Sequence, residues 1–287
     1  MKPSHFAASV GILAAIASTA TAGIVFGPVK GHAGESIRLV TNSETPGGTI
    51  QRGISGKNSS GTISIDRERE LVWTFRDPAP DGTRRGMVRV KEIVTNTVVK
   101  IDGQQEKTND VSPLTGKMFS MSKAPKGDWK FELDGSVPLT RVQKEIDELT
   151  VYLKRDWYPT REVNVGDTWE FDPAWVKMII EKDLSKAKTI GTMRLRQLRS
   201  SIMGKTAIID VSVRSTGADF KSDGSESSAS VELNGQITVN LNTMLDEKLE
   251  LNGTVTSSSR KAGESTTVKL PVHLTATKSF VKGGPMP

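Results

Sequence analysis

A group of carboxylates that could do chemistry lies in and just after the segment REVNVGDTWEF (161–171). Asp167, Glu170 and Asp172 are close in sequence, and a pair of carboxylates facing each other across a cleft is what glycoside hydrolysis requires. Nothing in the sequence places a second carboxylate opposite any of them, so we interpret all three as surface charges. Gly166-Asp167 then predicts a bend that leads into a strand, because glycine supplies backbone freedom and aspartate accepts hydrogen bonds from nearby amides.

Histidine and cysteine chemistry is nearly absent from the sequence. The three histidines, His5, His32 and His273, show no two-histidine zinc spacing, and no G-x-S-x-G nucleophile elbow accompanies them. The chain has no cysteine, which excludes disulfides and thiolate metal ligands. We therefore predict no catalytic residue and a protein that is not an enzyme. An uncharacterised hydrolase remains as the catalytic alternative.

Two fragments resemble phosphate and calcium loops, and both fail. GKT (204–206) lacks the first glycine of a phosphate loop, since Arg199 stands at that position. DFKSDG (219–224) begins like a calcium loop but has Ser230 where that loop needs glutamate. Looser calcium binding by Asp219 and Asp223 stays open, but we predict neither a metal site nor a cofactor.

Basic residues recur in two similar hexapeptides, VRVKEI and MRLRQL, which lie 105 residues apart. On strands, Arg89 and Lys91 share one side, as do Arg194 and Arg196. If the two segments are neighbours, they form a cationic stripe that could hold an anionic polymer or a lipid headgroup. The alternative is a solvated sheet face. The shared pattern is also what a diverged duplication would leave, and six residues do not decide that question.

Aromatic side chains are concentrated around the segment 161–171. Trp157, Trp169 and Trp175 lie close together with Tyr158 and Phe171. Clustered aromatics can form the floor of a ligand cavity. The other interpretation is that they pin a helix onto a sheet.

The elements that must position these residues are mostly strands. Apolar and polar residues alternate at 206–213, 235–241, 248–256 and 266–277, the pattern of antiparallel strands with one wet face. The first half alternates less regularly, and a hairpin is predicted to turn at 125–128.

One amphipathic helix is predicted over 140–157. Thr140 and Gln143 fit a capping box, and Ile146 belongs to a row of apolar residues at helical spacing. A shorter helix is predicted after Asp172-Pro173.

These elements predict a mainly β protein. Long antiparallel meanders would form either a half-open barrel or two packed β halves, with the amphipathic helix added. The predicted domains are a signal peptide at 1–22, an N-terminal β half with the helix at 23–158, and a C-terminal β-meander half at 159–287.

The start of the sequence predicts export. A short basic start, an apolar stretch from Phe6 to Ala20 and small residues up to Ala22 form a secretory signal, with cleavage expected after Ala22. The product would be periplasmic or extracellular, without a transmembrane anchor. The net charge of +6 is a modest excess for 287 residues and, together with export, argues against a nucleic-acid partner.

A family resemblance rests on SPLTG (112–116), the helix after it, YPTREVNVGDTWEF, and the strands ELNGQITVNLNT and KLELNGTVT. These features resemble a family of exported bacterial all-β proteins of unknown function with a V-x-V-G-D-x-W turn and strand-rich halves around a central helix. Members of that family are often lipid-anchored, and this chain departs from them because it has no cysteine. The resemblance implies no catalytic residues.

The sequence leaves three classes of function. The first is a non-catalytic envelope protein that binds an apolar or amphiphilic ligand, such as a lipid, in a concave β-sheet. The second is a binder of anionic envelope polymer or lipid headgroups through the arginine-rich sheet face, and the third is the hydrolase. The ligand-binding residues are unknown, and the aromatic and basic residues named above are the candidates.

Overall fold

The computed structural model describes residues 23–133, 143, 146, 157–173, 188–202, 204–220 and 224–281. These residues form one antiparallel sheet of thirteen strands. The strands are β1 (Ser36–Glu44), β2 (Gly48–Ile54), β3 (Lys57–Arg76), β4 (Arg84–Ile101), β5 (Gln104–Val111), β6 (Met118–Lys123), β7 (Trp129–Leu133), β8 (Thr168–Phe171), β9 (Lys188–Ser201), β10 (Gly204–Phe220), β11 (Glu226–Asn240), β12 (Leu245–Lys261) and β13 (Glu264–Val281).

The strand order joins both halves of the sequence in the same sheet. It runs β7-β6-β4-β3-β1-β13-β12-β11-β10-β9-β8, with β5 beside β4. The last strand, β13, lies at the centre, with β12 on one side and both β1 and β2 on the other. The prediction of a mainly β, antiparallel protein is confirmed, as is the hairpin between β6 and β7.

The predicted helices fall largely outside the described residues. Of 140–157 the structure describes Gln143, Ile146 and Trp157, of which the first two are helical and Ile146 is buried. The predicted helix after Asp172-Pro173 lies outside the described part. The elements with defined bounds there are all strands, so the amphipathic helix stays a prediction. The described ranges contain no helix long and apolar enough to span a membrane.

Alternation of apolar and polar residues along the strands gives the sheet one apolar face, and this face holds the core. The core forms two clusters: Ile37, Leu71 and Val88 of β1, β3 and β4 belong to one, and Leu233 and Ile209 of β11 and β10 belong to the other. The opposite face, which we call the outer face, carries charged and hydroxyl side chains.

Three β-bulges interrupt the ladders, and two of them explain the paired hexapeptides. One extra residue opposes the partner strand at Lys91 in β4 and at Arg196 in β9, while the third lies at Glu247 in β12. A bulge resets the alternation, so two polar residues in succession precede the next apolar one. The likeness of VRVKEI to MRLRQL therefore reflects a shared bulge. The pairing itself does not repeat, because β4 bulges against the strand before it and β9 against the strand after it.

Tight turns mark one end of the sheet, which we call the upper end. The pairs Ser55-Gly56, Asp102-Gly103 and Ala262-Gly263 all have positive φ angles at both residues. That geometry belongs to the two-residue turns whose twist matches the strands they join. The lower end carries the β3–β4 and β11–β12 connections.

The segment 23–35 crosses the lower end of the sheet. Ile24 and Val163 exchange two backbone hydrogen bonds of 2.8 Å. Further along, the amide of Lys30 donates to the carbonyl of Thr243 at 2.8 Å, and the amide of Gly34 donates to the carbonyl of Phe75 at 2.9 Å. The segment thus ties the β8–β9 side to β3.

Candidate ligand-binding face

The apolar face changes from fully buried at its lower part to half-buried at its upper part. Leu71 and Trp73 of β3 are buried, whereas Ile63 and Ile65 of the same strand and the same face are half-buried. β4 and β13 show the same change, whereas Ile50 of β2, which pairs with Val268, is buried. We call the half-buried region the upper apolar patch: Ile63, Ile65, Val99, Val255, Val268, Leu270 and Val272.

The register makes this patch continuous. Val255 pairs with Leu270, and Ile63 pairs with both Gly48 and Val99. A Cβ atom at Gly48 would meet Leu270 Cδ2 at 2.7 Å and Ile63 Cγ2 at 3.3 Å, so these two side chains converge over the glycine. The patch therefore spans β12, β13, β3 and β4 without a polar interruption in that row.

Two arginines lie on this apolar face between its buried and half-buried parts. Arg67 and Arg69 have the same parity in β3 as Ile65 and Leu71, and both are half-buried. The Nε and Nη2 atoms of Arg69 have almost no accessible surface. Guanidinium groups in an apolar row are costly unless they are paired with anions or hydrogen-bond acceptors, and both arginines interact with other groups of the chain.

A buried ion pair lies next to them. Lys278 Nζ donates to Asp246 Oδ2 at 3.3 Å, and the two side chains are 4% and 6% exposed. The Tyr158 hydroxyl donates to the other carboxylate oxygen at 2.7 Å. Asp246 reaches this face through the bulge in β12, and the ion pair joins β12 to β13 between the two core clusters.

Two of the aromatic candidates, Trp157 and Trp169, cluster with Phe26 around Tyr158, which contacts this ion pair. The Phe26 ring stacks on Tyr158 at a centroid distance of 4.4 Å, and Trp169 lies 6.1 Å from Phe26. The Trp169 indole donates to the carbonyl of Trp157 at 2.9 Å, and both tryptophans are buried. These contacts fix the segment around Tyr158 and the segment 23–35 to the sheet. Trp175 lies outside the described residues.

The basic candidates lie on the outer face and are not brought together. Arg89 and Lys91 on β4 are separated from Arg194 and Arg196 on β9 by six strands. All four are exposed. The condition for a single cationic stripe, that the two segments are neighbours, is therefore not met.

Acidic partners break up the outer face further. Arg196 contacts Asp210 at 3.6 Å, and Arg38 pairs with Glu70 at 2.9 Å. The hydrogen bond from Arg38 lowers the pKa of Glu70 below its usual range, and the charge of Lys91 contributes in the same direction. The outer face is thus one of mixed charge.

The VGD segment forms a turn. Gly166 has a φ of +98°, and the Asp167 carboxylate accepts from the amide of Asn164 at 3.0 Å and contacts Arg161 at 3.4 Å. Its backbone binds β9 beside the bulge, since the amide of Leu195 donates to the carbonyl of Asp167 at 3.0 Å. This is the bend that the sequence predicts, and the carboxylate lies at the surface against an arginine.

The remaining titratable candidates are dispersed. His273 lies on the outer face, with Nδ1 2.6 Å from Asn252 Oδ1. Asp219 is the penultimate residue of β10, and Asp223 lies outside the described residues. Within the part of the chain that the structure describes, no three His, Cys, Asp or Glu side chains are grouped to hold a metal ion.

Our sequence analysis missed the charged residues of the apolar face, although the apolar–polar alternation along β3 and β13 reveals them. In β3 the residues of one parity read Ile63, Ile65, Arg67, Arg69, Leu71, Trp73. In β13 the corresponding row ends with Ala276, Lys278, Phe280. A basic residue at an apolar position of an otherwise regular alternation was the available signal.

Comparison with known proteins gives no relative from which a role could be taken. No family model matches the chain, and no curated protein matches it in sequence.

Proposed function

We propose that the chain is a non-catalytic exported protein that binds an apolar or amphiphilic ligand against the apolar face of a sheet curled into a half-open barrel. The observation that carries the proposal is the upper apolar patch. A row of half-buried aliphatic side chains from four strands continues the core but is less covered than the core. Such a surface favours an apolar occupant, because each Å² that the occupant buries contributes about 25 cal/mol.

Two features that bend sheets, interior glycines and β-bulges, support the curled shape. A Cβ at Gly235 would overlap the carbonyl oxygen of Glu250, and one at Gly253 would overlap that of Glu232. These close approaches, together with the three bulges, are the features that produce curvature in long antiparallel sheets.

Native mass spectrometry of the protein purified from the cells that make it is the direct test. The expected result is an extra mass that collisional activation releases as an apolar or amphiphilic molecule. Binding is then measured with the uncharged fluorescent probe N-phenyl-1-naphthylamine. Ile63→Gln, on the apolar face, should weaken saturable binding severalfold, while the adjacent Thr62→Gln, on the outer face, should leave it unchanged.

Two results would refute the proposal. The first is the absence of both a co-purifying molecule and saturable probe binding. The second is an equal effect of the two glutamine variants, which would place the probe elsewhere. Salt-sensitive retention on an anionic column that is lost in Arg89→Gln or Arg194→Gln would instead favour the anionic-polymer alternative.

A further inference from the structure

We propose that the ligand is an anionic amphiphile whose hydrocarbon chain lies on the upper apolar patch and whose headgroup is bound at the upper end of the sheet by Arg52 and Lys57. The headgroup is a phosphate or a carboxylate. This inference rests on the proposed function. It adds the ligand class and the orientation of the ligand, with the chain toward the core and the headgroup toward solvent.

Above the patch, the apolar face changes from aliphatic to hydroxyl and basic side chains. Val255 and Leu270 belong to an aliphatic row that crosses the sheet. Four residues further along each strand, the same face carries a second row, which we call the rim: Ser227, Ser259, Thr266, Arg52 and Ser59. Four residues of a strand span about 13 Å. An amphiphile that lies along the strands therefore contacts apolar side chains over one part and hydrogen-bonding groups over the other.

The rim lies where the sheet reaches solvent. Arg52 is exposed, Ser59 and Thr266 are half-buried, and Ile54, the next residue of this face on β2, is 52% exposed. At the lower end the same face is buried in the core. A charged headgroup loses its hydration at the buried end and keeps part of it at the rim, so the exposed end is the favourable place for it.

Arg52 and Lys57 are available to a ligand. Arg52 pairs with Thr266 on one side and with Ser59 on the other, and Lys57 is its diagonal neighbour on β3, at a distance of about 7–8 Å. Both side chains are exposed, and neither forms a hydrogen bond or an ion pair with the described part of the chain. A guanidinium group can donate two parallel hydrogen bonds to one phosphate or carboxylate. Lys57 adds a second positive charge beside it.

The balance of charge at this corner favours an anion. Glu264 is the carboxylate nearest the rim, and it pairs directly with Lys261 across β12 and β13. The apolar face of β12, β13, β2 and β3 thus carries three basic residues and one carboxylate in its two uppermost rows. Asp219 of β10 lies four strands from β2, and Glu106 and Asp110 of β5 lie three strands from it. The two proposed headgroup ligands therefore keep an excess of positive charge.

The test compares two amphiphiles with the same chain and headgroups of opposite charge. Dodecyl phosphate, dodecyltrimethylammonium and inorganic phosphate are titrated into the full exported chain by calorimetry, with both amphiphiles below their micelle concentrations. The salt concentration is about 0.15 M, which screens exposed charges more than about 8 Å apart. The wild type should bind dodecyl phosphate at least tenfold more tightly than dodecyltrimethylammonium.

Variants assign this preference to the rim. Arg52→Gln and Lys57→Gln should each lower the affinity for dodecyl phosphate about threefold, the size of an exposed ion pair, and the double variant should lower it about tenfold. Arg260→Gln is the charge-matched control, because Arg260 is exposed at the same end of the sheet on the outer face. It should change neither affinity.

A second measurement needs no variant. In NMR titrations of the wild type, the amide signals of Arg52 and Ser59 should shift with dodecyl phosphate and stay in place with dodecyltrimethylammonium. The amide signal of Ile63, beneath the hydrocarbon chain, should shift with both. Equal shifts of the rim amides with the two amphiphiles would contradict the assignment.

The outcomes separate this inference from the function on which it rests. If the wild type binds neither amphiphile, the proposed function fails. If it binds both equally, or if the preference survives in the double variant, only the headgroup assignment fails. Inorganic phosphate bound as tightly as dodecyl phosphate would show a free-anion site and would also overturn it.

Discussion

At the scale of single residues, the feature that most shapes this protein is charge placed on the apolar face. The ion pair of Lys278 and Asp246 lies between the two core clusters, where removing two ions from water costs several kcal/mol each. That cost is offset by mutual attraction and by the hydrogen bond from Tyr158. A buried pair of this kind is therefore sensitive to the loss of one member and tolerant of the loss of both.

Asp246→Asn is expected to destabilise the protein by about 3–5 kcal/mol, because it leaves the Lys278 ammonium buried without a carboxylate. The double variant Asp246→Asn/Lys278→Met should recover a large part of this loss. Urea unfolding of the two single variants and the double variant measures the coupling between the two residues. Simple additivity of the three changes in free energy would show that the pair does not act as a unit.

On the outer face, the Arg38–Glu70 pair predicts a dependence on pH. The folded-state pKa of Glu70 lies below its usual value of 4.5, because Arg38 donates hydrogen bonds to the carboxylate. The folded protein then binds fewer protons at this site than the unfolded chain. The stabilisation is present above the usual pKa and is lost as the pH falls through the lower folded-state pKa.

Arg38→Ala should therefore raise the pKa of Glu70 toward 4.5, which an NMR titration of the carboxyl carbon measures. The stability difference between Arg38→Ala and the wild type should shrink as the solution is acidified. Lys91→Ala provides a graded control with a smaller shift in the same direction. An unchanged pKa in Arg38→Ala would contradict the assignment.

At the scale of elements, glycines in strand interiors permit the close approach of neighbouring strands. Gly235 faces Leu251, and the carbonyl of Glu250 occupies the place that its Cβ would take. A side chain there requires the β11–β12 ladder to move apart. The cost combines overpacking with strain in two backbones.

Gly235→Ala is accordingly expected to lower the free energy of unfolding by about 1–3 kcal/mol, measured by chemical denaturation. Gly27→Ala is the matched control, because a Cβ at Gly27 meets nothing within 4 Å. Equal stability of the two variants would mean that the ladder adjusts without cost.

Much of the element structure follows from period-two alternation, as in β10, β11 and β13, where tertiary packing and local pattern agree. The bulges at Lys91 and Arg196 could not be predicted from the alternation, because a break in the pattern is recognised as a bulge only once the pairing partner is known. Strand order was equally out of reach, because the alternation of β1 does not reveal that its partner is β13. Trp157 and Trp169 are joined by a hydrogen bond in the structure, and their role in ligand binding stays a prediction. The position of Arg67 and Arg69 on the apolar face of β3 could have been predicted from the alternation, because Leu71 has the same parity.

At the scale of the whole molecule, β13 joins the two halves of the sequence in one sheet, which we expect to unfold as a single cooperative unit. Its backbone pairs with β1 and β2 on one side and β12 on the other, and Leu274 and Ala276 contribute to different core clusters. Neither half has a complete sheet interior without it. Opening one half therefore exposes the edge of the other.

Hydrogen exchange should show this directly. Amides of β3 and β11, which belong to different core clusters, should converge on one opening free energy as denaturant is added. Separate values that persist up to the unfolding transition would show two independently unfolding units.

The central position of β13 also has a consequence for biogenesis. β13 follows the other described strands in the sequence and is synthesised after them, so β1, β2 and β12 must each wait with an unpaired edge exposed. Contacts between such distant parts of a chain form slowly. Until β13 pairs, these exposed edges make the newly made polypeptide prone to aggregation, and we expect it to be a client of holding chaperones.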